Sequence, residues 1–232
     1  YRIKYRHSDQ SFVMVAPPSG GGPVTLELSQ YKGAMVPSGT MVTNSWTPGA
    51  NHLLFCCAGI RGTSTPSAHI TGVSGNGLTW TKIIDEDDTQ NVIGMQIWWA
   101  KGPSPSAGAV TLTLSTLTVN IGVQLISFSG VHSSPIGNVA SADTGASDTA
   151  TITTSLVTTA NASKVLAFVM NRNNSVSIPG GSIFSAILAN QVIDSGGSAG
   201  RTSSYLSSEV TTSGTTVTPS FTISAGDWTI GA

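Results

Sequence analysis

Short stretches in which apolar and polar residues alternate follow one another from about residue 40 to the end of the chain. In Val110–Leu114, apolar residues occupy every second position and threonines lie between them, as in a strand with one buried face. Leu53–Ala58 is apolar at every position, as in a strand covered on both faces. The pattern predicts strands at Met41–Trp46, Leu53–Ala58, Leu78–Ile84, Val92–Ala100, Val110–Leu114, Ile121–Phe128, Thr151–Val157, Lys164–Met170, Ile183–Leu188, Tyr205–Val210, Val217–Ile223 and Trp228–Ile230.

Clusters of serine, glycine, proline and asparagine separate these strands, and no segment shows the apolar period of an amphipathic helix. Many short strands with such punctuation predict an all-β protein. We expect a two-sheet antiparallel sandwich, jelly-roll-like, over residues 39–232. The alternative is a division near residue 145 into two smaller sandwiches. One domain is favoured because each half would then contain few strands.

Residues 1–38 differ from the rest of the chain. They begin with a basic stretch, continue through a short apolar run and reach a proline- and glycine-rich joint at residues 17–23, which neither a helix nor a central strand accommodates. A second apolar alternation, Val24–Leu28, follows, so the region contains two short strand-like segments and a flexible joint. This composition predicts an extended N-terminal arm, whereas the plainer interpretation is a first hairpin of the same domain. In the arm interpretation, a sheet edge of a neighbouring subunit or particle protein accepts the apolar run as an added strand. The residues of that run are Phe12, Val13, Met14 and Val15.

Two adjacent tryptophans, Trp98 and Trp99, lie in one predicted strand and must point to opposite faces of the sheet. The neighbours on the face of Trp99 are all apolar: Ile93, Met95 and Ile97. The neighbours on the face of Trp98 are small or polar: Gly94, Gln96 and Ala100. The pattern therefore predicts that Trp99 is a core residue and that Trp98 is the more accessible ring. Trp98 is then either covered by a loop or the arm, or it contacts a partner, or it stacks on a sugar.

The charge balance argues against two classes of partner. The 232 residues carry a formal net charge of −1, and only 9% of them are charged. No basic field exists to attract nucleic acid or an anionic membrane surface, so we expect neither as a partner. Cys56 and Cys57 are adjacent, and neighbouring side chains of a strand point apart. We therefore expect two unpaired thiols, at least one of them buried, rather than a disulfide.

Candidate chemistry is sparse in this sequence. The four histidines are scattered and no metal-binding or nucleophile motif surrounds them, so we expect neither a catalytic site nor a cofactor. The one dense charge cluster, residues 85–88, is predicted to lie in a loop between two strands. Its carboxylates make Asp85, Asp87 and Asp88 weak candidates for binding a hard cation such as calcium. The spacing does not match a calcium loop, and a solvated acidic turn is the favoured interpretation.

Four stretches taken together resemble a group of β-sandwich modules. That group occurs in bacteriophage structural proteins, such as tail-fibre and head-decoration proteins, and in uncharacterised secreted bacterial proteins. The stretches are Trp46–Leu54 (WTPGANHLL), Gly75–Lys82 (GNGLTWTK), Ile97–Lys101 (IWWAK) and Val123–Val131 (VQLISFSGV). The resemblance covers about residues 40–232, rests on turn residues and core aromatics, and does not include the arm. Ser127 departs from the pattern, because an acidic residue is common at that position.

The resemblance implies a non-enzymatic structural or attachment component of a phage particle, in the role of a decoration or fibre protein. The expected location is the virion or the extracellular space. The expected partners are further copies of the chain or other particle proteins, with the arm mediating assembly. The alternative is a secreted carbohydrate-binding or adhesion module that displays an exposed aromatic such as Trp98. An enzyme is the least favoured class.

Overall fold

The computed structural model describes residues 23–36, 39–61, 69–88, 93–115, 119–143, 149–172, 175–193, 200–226 and 228–232. Within these ranges the regular structure is β-strand throughout, every strand pair is antiparallel, and no helix occurs. The prediction of an all-β, antiparallel protein is therefore confirmed.

The strands fall into two consecutive groups, separated by residues 130–140. The first group consists of β1 (Thr25–Val36), β2 (Thr40–Val42), β3 (Leu53–Arg61), β4 (Ile70–Gly75), β5 (Thr81–Asp87), β6 (Ile93–Lys101), β7 (Val110–Leu114) and β8 (Val119–Ser129). The second group consists of β9 (Ser141–Asp143), β10 (Thr149–Thr153), β11 (Leu156–Val157), β12 (Leu166–Arg172), β13 (Phe184–Val192), β14 (Gly200–Ser207), β15 (Thr216–Val217), β16 (Ser220–Gly226) and β17 (Trp228–Gly231).

Each group forms two layers. In the first group, a five-stranded sheet of order β1-β8-β3-β6-β5 packs against a three-stranded sheet of order β2-β7-β4. In the second group, a five-stranded sheet of order β13-β14-β12-β17-β9 packs against two small sheets, β10-β16 and β11-β15. The two five-stranded sheets pack on each other, which creates four layers around three apolar interiors. These layers are consistent with a β-sandwich, but the described strands form five sheets rather than the two expected, because both faces of each five-stranded sheet are apolar and both are covered.

The central strand β3 shows how one strand serves two interiors. All of its residues, Leu53–Arg61, are buried. Cys56 faces the interior shared with the three-stranded sheet, and Cys57 faces the interior shared with the second group of strands. Both cysteines are free and fully buried, in agreement with the prediction of unpaired thiols. Burial raises the pKa of both thiols, so neither is a reactive thiolate.

The predicted turn at Gly75–Gly77 carries the chain from the three-stranded sheet to the adjacent five-stranded sheet. Its three residues have positive φ angles of 134°, 57° and 66°, which glycine adopts readily and asparagine tolerates. The Asn76 side chain accepts a hydrogen bond from Trp46 Nε1 at 2.8 Å and donates one to the carbonyl oxygen of Ser106 at 2.8 Å. One turn residue therefore joins three separate segments of the chain.

The described part of the expected arm begins at Pro23. Residues 25–36 form β1, which pairs over its whole length with β8 of the same chain and forms one edge of the five-stranded sheet. Residues 1–22 lie outside the described residues, and with them the candidate assembly residues Phe12, Val13, Met14 and Val15.

The two five-stranded sheets approach closely where glycines face the opposite sheet. A Cβ atom added to Gly59 on β3 would lie 2.5 Å from Thr202 Cγ2 and 2.8 Å from Met170 Sδ, both on the second sheet. A Cβ atom added to Gly231 on β17 would lie 2.3 Å from Met95 Cε on the first sheet. These distances are far below van der Waals contact, so a side chain at either glycine would force its neighbours in the opposite sheet to shift.

We expect Gly59→Val to destabilise the fold by about 1–3 kcal/mol, because the added side chain overpacks the interior between the central sheets. Gly72→Val on β4 is the matched control, since a Cβ atom at Gly72 meets no atom within 4 Å. Valine favours strands at both positions, so only the packing differs. Denaturant unfolding measures both changes. Equal stability of the two variants would contradict the close approach of the sheets.

Candidate functional site

Trp98 is the more buried member of the tryptophan pair, which is opposite to the sequence prediction. Its side chain is 9% exposed and packs with Trp46 and Trp80 in the interior between β6 and the three-stranded sheet. Trp99 is partly exposed and packs on the other face, toward the second group of strands. The prediction was wrong because the three-stranded sheet covers the face of β6 that carries Trp98. The small and polar neighbours of Trp98 on that face are typical of a solvent-exposed face. Trp98 is therefore not displayed to a ligand.

The polar group of Trp98 belongs to a chain of hydrogen bonds within the protein. Trp98 Nε1 donates to Gln96 Oε1 at 3.1 Å, and Gln96 Nε2 donates to Asp85 Oδ1 at 2.6 Å. Lys82 forms an ion pair with Asp85, and its Nζ lies 5.7 Å from the centroid of the Trp98 ring. This distance is within the range of a cation–π interaction. The indole and the amide are therefore satisfied by neighbouring side chains.

His69 extends this network to the outer layer. It lies directly before β4, in the three-stranded sheet, and its ring is placed between two carboxylates of β5. His69 Nδ1 lies 3.4 Å from Asp85 Oδ1, and His69 Nε2 lies 3.4 Å from Asp87 Oδ2. All three side chains are partly exposed. The contacts connect two layers, and their exposure to solvent limits each ion pair to a small contribution.

The acidic segment lies mainly in a strand, which corrects the expectation of a loop. Residues 85–87 are the last residues of β5, and only Asp88 follows the strand. Asp88 is 2% exposed, and its Oδ1 accepts a hydrogen bond from the backbone nitrogen of Ile93 at 3.1 Å. Across the described ranges, no group of three or more histidine, cysteine or acidic side chains is placed to hold a metal ion. The carboxylates of Asp85 and Asp87 face Lys82 and His69 instead.

Glu86 points away from this network toward the second group of strands. Its environment raises the pKa of its carboxyl group above the usual value, and the largest cause is burial. A hydrogen bond with Ser141 on β9 acts in the opposite direction, whereas the nearby carboxylates of Asp143, Asp87 and Asp85 raise the pKa further. Glu86 is thus a partly buried acid at the contact between the two strand groups.

A serine–histidine contact brings together two residues that are 75 positions apart. His52 Nδ1 lies 2.8 Å from Ser127 Oγ, and the backbone nitrogen of Gly49 donates to the same ring nitrogen at 3.3 Å. Ser127 on β8 is fully buried. A substrate cannot reach its hydroxyl group, so the pair satisfies a buried polar group rather than forming a nucleophile. No sequence spacing indicates this pair, because strand pairing between β3 and β8 creates it.

A groove of about 600 Å³ opens in the second group of strands, between residues 179–184 and 208–220. Half of its lining residues are serines and threonines, and Glu209 is the only charged residue among them. Its only lining aromatic, Phe184, is 5% exposed and offers little ring surface for stacking. The groove therefore presents mainly hydroxyl groups and a single carboxylate.

One lateral side of the molecule is formed by two edge strands, β1 and β13. The Tyr31 hydroxyl on β1 donates to the carbonyl oxygen of Val192 on β13 at 2.5 Å, and burial raises the pKa of Tyr31 to about 12. Leu26 and Ile183 line one small cavity between the two strands. This lateral side carries much of the exposed apolar surface of the described residues.

Comparisons with protein-family profiles, curated proteins and solved structures found no match for this chain. In the described part of the chain, no helix is long and apolar enough to cross a membrane.

We expect Trp98→Ala to destabilise the protein by about 3–5 kcal/mol, because it removes a large side chain from a closed interior. Trp99→Ala removes the same atoms from a partly exposed position and should cost clearly less. The two variants are matched controls for each other, since they change adjacent residues of β6. Chemical denaturation compares them. A larger loss for Trp99→Ala would contradict the burial of Trp98.

We expect Glu86→Gln to stabilise the protein at neutral pH. Because the pKa of Glu86 is raised, the folded state favours the protonated carboxyl group. The stability that this preference contributes is fully present below the pKa of the unfolded state and is lost as the pH rises through the pKa of the folded state. The variant should match the wild type at about pH 3, below the ordinary glutamate pKa, and exceed it at neutral pH. Unfolding midpoints measured against pH provide the test, with Glu209→Gln as the exposed control. A variant without a gain at neutral pH would refute the raised pKa.

Proposed function

We propose that the chain is a non-enzymatic structural or attachment component of a phage particle, as a decoration or fibre protein. The observation that carries this proposal is the lateral side formed by β1 and β13, where two sheet edges and exposed apolar side chains lie together. Exposed strand edges and apolar patches are the usual means by which a β-protein joins neighbouring chains. The resemblance of residues 40–232 to phage structural modules supports the same role.

The chemically versatile side chains support a structural role, because they contact one another. Ser127 is buried against His52, and Asp85 and Asp87 contact Lys82 and His69. A catalytic group has to reach a substrate at hydrogen-bond distance. The buried serine does not meet that condition, and the carboxylates face cations of the same chain. The proposed role requires neither a cofactor nor a metal.

In the proposed particle, the arm supplies an extended strand to a neighbouring subunit or particle protein. The apolar run Phe12–Val15 would pair with an exposed sheet edge, and the joint at residues 17–23 would separate it from β1. The proposed particle protein has a jelly-roll-like arrangement of its sandwich layers and an extended arm before β1. The net charge of −1 supports protein partners rather than nucleic acid or a membrane surface, and the proposed location is the virion or the extracellular space.

Carbohydrate binding is the less favoured alternative. The aromatic on which it depended, Trp98, is buried, and Phe184 in the groove is nearly so. A flat ring open to solvent is the usual platform for stacking a sugar. The hydroxyl-lined groove alone does not replace that platform.

We expect the protein purified from its native source to sediment with a large regular assembly in a density gradient. Deletion of residues 1–22 should leave a folded protein with a cooperative thermal transition, because β1, the first strand of the layers, begins at Thr25. This protein should no longer join the assembly. Met14→Asp should have the same effect, since it places a charge in the apolar run. Ser8→Asp is the matched control outside the run. Recovery of the native protein as a free species would contradict the proposed function.

A further inference from the structure

Four strand edges bound the two five-stranded sheets, and three of them carry features that discourage pairing with another chain. β9 has only three residues. β13 has two register shifts. β5 has one register shift and carries a row of charged side chains near its end. Short strands, bulges and charges are the devices by which natural proteins protect sheet edges.

β1 lacks most of this protection. It is a strand of twelve residues, and its single register shift lies between Leu26 and Leu28, so the remainder pairs regularly with β8 as far as Val36. Among the described residues, β8 is its only partner strand. A regular strand of this length, open on one side, presents a row of unpaired backbone groups to another strand.

The exposed apolar side chains point to the same edge. Five of the seven large hydrophobic residues that are exposed in the described part of the chain lie on β1, on β13 or directly before β13: Leu26, Leu28, Met35, Ile183 and Val192. The contact between Tyr31 and Val192 holds the two strands side by side. The open edge and most of the exposed apolar residues therefore lie on the same lateral side of the molecule, and exposed apolar residues of this kind are typical of an interaction surface.

We propose that β1 pairs with β1 of a second copy of this chain, antiparallel and about a two-fold axis, to form one continuous sheet from the two five-stranded sheets. Such a contact is isologous, because the same strand is used on both sides. The net charge of −1 gives two copies little reason to repel each other. Antiparallel pairing centred on Gln30 places Lys32 of each copy opposite Leu28 of the other and beside Glu27, so the charges on the strand are complementary.

This inference rests on the proposed structural role and names its partner as a second copy, but it does not depend on the arm. The pairing would cover Leu26, Leu28 and Met35 and would satisfy the open backbone groups of β1. Because the contact uses only described residues, a chain without residues 1–22 should form it as well.

Sedimentation equilibrium of the full chain tests the proposal. We expect the wild type to be a dimer at micromolar concentration and Leu28→Lys to raise the dissociation constant by about tenfold or more, since lysine protects strand edges. Val157→Lys is the matched control, because Val157 is 41% exposed, as is Leu28, and lies on the far outer layer. A monomeric wild type, or an equal effect of both variants, would overturn the proposal.

A charge exchange tests the orientation of the strands and does not rely on one variant. Glu27→Lys and Lys32→Glu should each weaken the dimer, and the double variant should restore it. Lack of restoration overturns pairing near Gln30.

Loss of the dimer on deletion of residues 1–22 also overturns the inference, because the arm would then be the occupant of the edge. A persistent dimer that never joins a larger assembly would refute the proposed function and leave the β1 contact intact.

Discussion

Burial of both faces of the two five-stranded sheets is the constraint on which the rest of the structure depends. β3 is apolar on both faces, and β12 likewise sends Phe168 into one interior and Val169 into another. An apolar face left in water costs about 25 cal/mol for each Å² exposed, so each sheet requires a cover on both sides. The two sheets cover each other, and smaller sheets cover their outer faces. Four layers are the result, and glycines at the central contact allow the close approach.

The amide nitrogen of Gln124 shows how a polar group inside this stack can find partners across it, although the Gln124 Oε1 atom has none among the described residues. Gln124 on β8 is fully buried, and its amide nitrogen donates to Thr202 Oγ1 at 3.1 Å and to the Leu188 carbonyl oxygen at 3.2 Å, both in the second group of strands. Gln96 instead joins Trp98 on its own strand to Asp85 on the neighbouring strand β5 of the same sheet. A buried amide without such partners would cost about 1–3 kcal/mol. These bonds therefore help to define how the layers are placed on one another, and they use side chains that would otherwise be available for chemistry.

The stacking also explains where the molecule can interact. Both faces of each five-stranded sheet are covered by other sheets, so these two sheets can contact other chains only at their lateral edges. The protection of these edges is uneven, since β5 ends in three consecutive acidic residues, whereas β1 carries only Glu27 and Lys32 beside two leucines and a methionine. The proposed assembly role and the proposed pairing of β1 with a second copy rest on the same geometry, in which the faces of the large sheets are covered and one lateral edge is open.

Local pattern alone determined the all-β class, the turn at Gly75–Gly77, the opposite directions of Cys56 and Cys57, and β7 with its bounds. It did not indicate β4 or β9, which contain few apolar residues and exist because β7 and β17 pair with them. It also misjudged the faces of β6, because Gln96 looks like a surface residue although it is 1% exposed. Alternation of apolar and polar residues along a strand shows that its two faces differ, but it does not show what covers each face. Only contacts between residues far apart in the chain decided the burial of Trp98 and the number of layers.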